Sequence, residues 1–172
     1  MTDKSQTVVF FVRHGRTDRV YSDDKTVDGE RVLTQQGIAQ MEKVGEYLKS
    51  FAPSAIYSSP LRRTTQCAAI IKEKAGIGSE VEERPELVEV YSSSDYRSVA
   101  TRMPKFFEDI IAKNPGQQLV CVSHQDVIQA TLDSYDLTEE EKAFPCQMGE
   151  MYRLVFADTT LVECQKLKPA DN

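Results

Sequence analysis

Histidine and cysteine are scarce in this chain. Two histidines stand at 14 and 124, and four cysteines at 67, 121, 146 and 164, with no Cys-x-x-Cys pair among them. So few ligands at such spacings argue against a zinc site. Cys67 and Cys121 lie among apolar residues, the setting of buried free thiols in a reducing compartment. No apolar run approaches the ~20 residues needed to cross a bilayer. Met1 to Thr7 is polar, without the apolar centre of a secretory leader, so the expected location is cytoplasmic. Basic charge is not in excess either: Lys plus Arg is 21 against 27 for Asp plus Glu, a net of −6. Nucleic-acid and membrane-surface binding both call for a basic face, and neither is expected. Repeats, low-complexity tracts and linkers are also missing. What is present is 172 residues, 40% hydrophobic and 28% charged, the balance of a folded globule. The length suits one domain over 1–172, with loose termini at 1–7 and 168–172.

The hydrophobic pattern alternates between two periods. Val8 to Val12 is a continuous apolar run, which predicts a strand buried on both faces. Residues 16–32 are polar and read as a loop. Thr34 is an N-cap for a helix through Ile38, Met41, Val44, Leu48 and Phe51, stopped by Pro53. A short strand Ala55–Tyr57 precedes a helix from Leu61 to Gly76. Val81 sits in a weak strand before Pro85. Val99, Met103, Phe106, Phe107, Ile110 and Ile111 trace a helix that Pro104 is expected to interrupt. After the Asn114-Pro115-Gly116 turn comes a second buried strand, Leu119–Val122, then a helix through Val127, Ile128 and Leu132. Thr138 and Glu141 have the spacing of a capping box. Met151–Phe156 and Leu161–Leu167 across Asp158-Thr159-Thr160 predict an antiparallel hairpin. Strands alternating with helices imply an α/β fold, a three-layer α/β/α arrangement with a mostly parallel sheet and this C-terminal hairpin.

Chemistry gathers at the strand ends. Val8–Val12 runs into Arg13-His14-Gly15, Ala55–Tyr57 into Ser58-Ser59-Pro60-Leu61-Arg62-Arg63, and Leu119–Val122 into Ser123-His124. The strand near Val81 leads to Glu86 and Glu89. In an open parallel sheet these ends share one edge, where ligands bind. Singly, each residue has a plainer reading: an arginine in a surface ion pair, a hydrogen-bonded structural histidine, a solvated helix face, an acidic surface from Glu80 to Glu89. Their shared position at one rim favours a site, and a local basic rim on an acidic protein attracts an anion.

These blocks resemble the histidine phosphatase superfamily, phosphoglycerate mutase-like branch. Arg13-His14-Gly15 with Thr17 is similar to its opening signature. Leu33-Thr34-x-x-Gly37-x-x-Gln40 resembles its next segment. Tyr57-Ser58-Ser59-Pro60-Leu61-Arg62-Arg63 resembles its Ser-Pro-Leu-x-Arg block, which puts the family's arginine on Arg63. Leu87-Val88-Glu89 resembles its Leu-x-Glu, and Val122-Ser123-His124 with Val127-Ile128 its second histidine block. The chain departs from the pattern in three places. Val20 stands where members often carry Asn. Gln125 and Asp126 replace two glycines, and Val90 to Asp95 replaces a glycine-containing stretch.

The resemblance implies catalysis by His14, Glu89, His124, Arg13 and Arg63, with Arg13, Thr17, Arg63 and His124 binding the substrate. It implies a metal-independent phosphatase acting on a phosphorylated small molecule or a phosphoprotein through a phosphohistidine on His14. Arg13, Arg63 and His124 would hold the phosphoryl oxygens, and Glu89 would protonate the leaving oxygen. No cofactor and no metal is implied. Mutase-type transfer and a non-catalytic phosphate-binding module are the alternatives. Hydrolysis is preferred because 60 residues separate Arg63 from His124 and 48 follow it, little from which to build a mutase lid. The tail hairpin offers an edge strand for pairing, and the oligomeric state stays open.

Overall fold

The computed structural model describes residues 6–18, 22 and 24–169. Four strands run parallel: β1 (Gln6–Arg13), β2 (Ala55–Ser58), β3 (Val81–Glu83) and β4 (Gln118–Ser123). The tail supplies β5 (Met151–Ala157), antiparallel to β1, and β6 (Thr160–Leu167), antiparallel to β5. The sheet order is β3-β2-β4-β1-β5-β6. It is thus an α/β fold with a mostly parallel sheet and a C-terminal antiparallel hairpin.

The helices make the outer layers. α2 (Gln35–Lys49) and α3 (Arg62–Ala75) pack on one face, where Met41, Val44, Leu48, Cys67, Ala68 and Ile71 meet Val8, Phe10 and Val12 of β1. α4 (Ser93–Lys113) and α5 (Gln125–Asp133) pack on the other, where Val99, Met103, Phe107, Val127 and Ile128 meet Val9 and Phe11. Alternate residues of one strand feed two cores, which is why β1 reads as an unbroken apolar run. All four cysteines are buried free thiols. Among the described residues no helix is long and apolar enough to cross a membrane.

Local signals account for most boundaries. The Thr34 hydroxyl accepts from the Gly37 N–H at 3.1 Å, capping α2. Thr138 and Glu141 form the expected capping box of α6 (Glu139–Lys142). Three expectations need correction. The 16–32 segment contains a short helix, α1 (Lys25–Gly29), capped by Asp24, whose carboxylate accepts from the Thr26 N–H at 2.8 Å. α4 continues through Pro104, because its buried face on both sides of the proline is held by the core. Residues 6–7 and 168, within the stretches expected to be loose, have defined partners, while 1–5 and 170–172 lie outside the described residues. Gln6 and Thr7 belong to β1, with the Thr7 hydroxyl accepting from the Gly116 N–H at 2.9 Å. Near the other end, Lys168 lies 3.6 Å from Glu150.

The topology makes one crevice. β1 and β4 are neighbours, yet the chain leaves β1 toward the face of α2 and leaves β4 toward the face of α5. Such a switch point opens a gap at the carboxyl ends of the two strands. The register aligns Arg13 with Ser123, so the next residues in each strand direction are His14 and His124.

Candidate active site

His14 is fixed by backbone on all sides. Its N–H donates to the Ser123 carbonyl at 3.1 Å. The following Gly15 donates its N–H to Cys67 Sγ at 3.4 Å. A Cβ on Gly15 would stand 2.6 Å from the Gly37 carbonyl oxygen, and one on Gly37 would stand 2.1 Å from that of Arg16. Two glycines therefore let α2 press against the loop after β1. Gln40 completes this contact, its Oε1 accepting from the Arg16 N–H at 2.9 Å.

The imidazole of His14 is buried, and its Nδ1 lies 2.8 Å from the Gly15 carbonyl oxygen. A carbonyl only accepts, so Nδ1 carries the proton and Nε2 keeps its lone pair. Burial, with Arg63, Arg13 and Arg31 adding repulsion, pushes the His14 pKa down to about 3. Loss of water is the larger cause, ahead of the cations. His124 sits 5.4 Å away between ring centres and is fully buried. Burial and the same cations hold it neutral as well. Its Nε2 shares a 2.9 Å hydrogen bond with the Ser59 hydroxyl, and its Nδ1 lies 3.4 Å from Glu89 Oε2.

Arg63, at 1% exposure, projects inward from the first turn of α3, whereas Arg62 is exposed and pairs with Glu30 at 3.3 Å. Asp28 grips Arg63 twice, through its carbonyl at 2.9 Å and its carboxylate at 3.2 Å. The same carboxylate accepts from Arg31 at 3.0 Å and from the Tyr91 hydroxyl at 2.8 Å. Burial opposes ionisation of Asp28, but these donors and the Arg63 charge win and lower its pKa. Arg31 also donates to the Thr17 hydroxyl, so Thr17 orients a guanidinium while it lines the cavity. Arg13 donates to the Cys146 carbonyl at 2.6 Å.

Glu89 lies beside both Arg63, at 3.5 Å, and His124. Burial raises its pKa, against a hydrogen bond from the Val90 N–H and the Arg63 charge; Asp126 and Asp28 push it further up. Glu86, three residues earlier, points to Arg84 at 2.9 Å, and that hydrogen bond lowers its pKa. The backbone around Glu89 is clamped from α4: Arg102 donates to the carbonyls of Glu86 and Val88 at 3.0 and 2.9 Å.

His14, His124, Arg13, Arg63, Glu89 and Thr17 are therefore gathered in one crevice. Sequence reasoning missed Asp28, Arg31, Ser59, Tyr91 and Arg102. Arg31 stands two residues before the Leu33-Thr34 block, the one sequence signal that could have found it. Gln125 lines a cavity of about 550 Å³ beside Arg13, and Asp126 lines a second cleft along Val90 to Arg97. Val20 lies outside the described residues. Among the described residues no three His, Cys, Asp or Glu side chains gather so as to hold a metal.

The arrangement can place a neutral nucleophile, three guanidiniums and a carboxyl of raised pKa around one tetrahedral anion. Three guanidiniums outnumber the two carboxyl groups beside them, Asp28 and Glu89, so the crevice favours an anion.

Solved structures share this fold. The protein histidine phosphatase SixA complexed with tungstate superposes with a TM-score of 0.75 at 15% identity, over 95% of this chain and 98% of that one. A phosphoglycerate mutase from Bacillus anthracis str. Sterne gives 0.76 at 13% identity, over 97% and 95%. In sequence, the uncharacterized phosphatase PhoE of Bacillus subtilis (strain 168) is 37% identical over 67 residues, 39% of this chain and 35% of that protein. The match spans about a third of that relative's length. The family model of the histidine phosphatase superfamily (branch 1) matches residues 9–94 and 91–163, from β1 into the C-terminal hairpin, and the chain belongs to that superfamily.

Proposed function

We propose that the chain is a phosphatase that hydrolyses phosphate monoesters through a covalent phosphohistidine on His14. The observation that carries this reading is the Nδ1–H bond to the Gly15 carbonyl, which leaves a neutral Nε2 as the free nucleophile. Nε2 attacks phosphorus and the bond to the ester oxygen breaks. Glu89, whose pKa burial raises, gives a proton to the departing alcohol oxygen. Arg13, Arg31, Arg63 and His124 meet the charge on the non-bridging oxygens. In the second step the Glu89 carboxylate takes a proton from water, the water oxygen attacks phosphorus, and the bond to Nε2 breaks to free phosphate. Access of water to Glu89, whose side chain is 20% exposed, supports hydrolysis over transfer to a second substrate.

The test is a trapping experiment. Brief reaction with a radiolabelled phosphate ester and a non-acidic quench should leave label on His14, stable to base and labile to acid. Excess EDTA should leave the rate intact. Label on another residue, or full turnover by His14→Ala, would overturn the reading.

A further inference from the structure

Glu89 follows the sheet rather than belonging to it. β3 ends at Glu83, and the last bond of its edge runs from the Arg84 N–H to the Ser58 carbonyl at 2.8 Å. The chain then makes a single 3-10 turn, Pro85–Leu87, so no strand ladder fixes the backbone that carries Glu89. Side chains of two other elements fix it instead. The carbonyls of Glu86, Leu87 and Val88 all accept: the first from Arg102 Nε at 3.0 Å, the second from the Ser123 hydroxyl at 2.8 Å, the third from Arg102 Nη2 at 2.9 Å. Just beyond, the Val90 N–H donates to Glu89 Oε1 at 2.9 Å, which leaves Oε2 facing Arg63 and His124.

The Arg102 guanidinium is given over to this task. Its third nitrogen donates to the Ser98 hydroxyl at 2.9 Å, and among the described residues it makes no ion pair. Its helix does not depend on it, since Val99 and Met103 are buried in the core on either side. A planar fork can span two carbonyls two residues apart, where a lysine ammonium is one point donor. Placement matters to a general acid, which must come within hydrogen-bond reach of the oxygen it protonates.

We infer that Arg102 is a positioning residue for the acid: with Ser123 holding the carbonyl between its two, it fixes where the Glu89 carboxyl meets the departing oxygen. The inference rests on the phosphatase reading and adds a residue to it.

Ethyl phosphate needs its leaving oxygen protonated and nitrophenyl phosphate does not. Arg102→Lys, which keeps the charge but not the fork, should slow His14 phosphorylation by ethyl phosphate on the order of tenfold and leave the nitrophenyl burst within about twofold. In a Glu89→Gln background the same substitution should cost the ethyl ester nothing further, because no acid is left to misplace. An arm without turnover is isotope-edited NMR of the glutamate carboxyl carbons. Burial holds the Glu89 midpoint above its ordinary value; with Arg63, Asp126 and Asp28 unchanged, it should fall toward that value in Arg102→Lys as water reaches the loosened loop, while Glu150 stays put. Equal slowing of both esters, no slowing of the ethyl ester, a loss as large in Glu89→Gln as in the parent chain, or an unmoved Glu89 midpoint would overturn the positioning role, with label trapped on His14 leaving the phosphatase reading standing. No phosphohistidine from either ester, with the Glu89 midpoint still shifted, would overturn the phosphatase reading and support the clamp.

Discussion

Arg62 and Arg63 are adjacent in sequence and opposite in fate: one is exposed against Glu30, the other buried against Asp28 and Glu89. Arg63→Ala is expected to cost about 3 kcal/mol of transition-state stabilisation, on the order of a hundredfold in kcat/KM. Arg62→Ala should change little, since an exposed pair contributes at most ~1 kcal/mol. Steady-state rates of the two variants decide it. Glu86 and Glu89 make a second contrasting pair. Glu89→Gln should slow an alkyl phosphate by ~10²–10⁴-fold while sparing the burst phase on a nitrophenyl phosphate, whose leaving group needs no proton. Glu86→Gln, removed from the crevice by Arg84, should be near neutral in the same assays. The position of Arg63 was legible because a motif spacing separates it from its neighbour. Asp28 was not: it sits in a polar stretch of mixed charge, and its contacts with Arg63 and Tyr91 bridge 35 and 63 positions of sequence.

Among the elements, the strands and long helices were legible because each carries its own period, and Thr34, Gly76 and Thr138 mark ends that chemistry enforces. α1 was hidden for the opposite reason: none of its residues is buried, so it has no apolar stripe to read. Pro104 misled in the other direction, since core contacts along α4 outweigh one missing backbone bond. The Gly15–Gly37 contact is where an element acts on the site. Gly37→Ala puts a methyl 2.1 Å from the Arg16 carbonyl oxygen, a backbone atom that cannot swing aside. It should destabilise by about 1–3 kcal/mol and lower kcat/KM by displacing the loop that carries His14. Gly78→Ala, which meets nothing within 4 Å, is the matched control; urea midpoints and rates on both report the difference.

At the scale of the molecule, the site loads the fold with two buried neutral imidazoles. His14 titrates at about 3 when folded against 6.5 ordinarily, and His124 is displaced the same way. Between those values the unfolded chain binds the extra protons, so the contribution to stability is whole above pH 6.5 and drains away as pH falls toward 3. Thermal midpoints measured from pH 7 to pH 4 should fall, and His14→Asn should flatten that fall. The sheet that bears these rings is continuous backbone bonding from β3 to β6, and the amides of its buried central strands β1 and β4 should exchange with solvent only when the whole molecule opens. α1 belongs to a different regime. It is moored by polar contacts from Asp28 and by Lys25 over the Tyr91 ring at 5.1 Å, and its amides should exchange far sooner. The counter-ion of Arg63 thus rides on the most easily lifted piece of the site. On the proposed phosphatase reading, an arriving phosphate would take the guanidinium from Asp28 without disturbing the sheet, and on its departure the carboxylate would settle back, so that the buried cation would meet an anion at each end of the cycle.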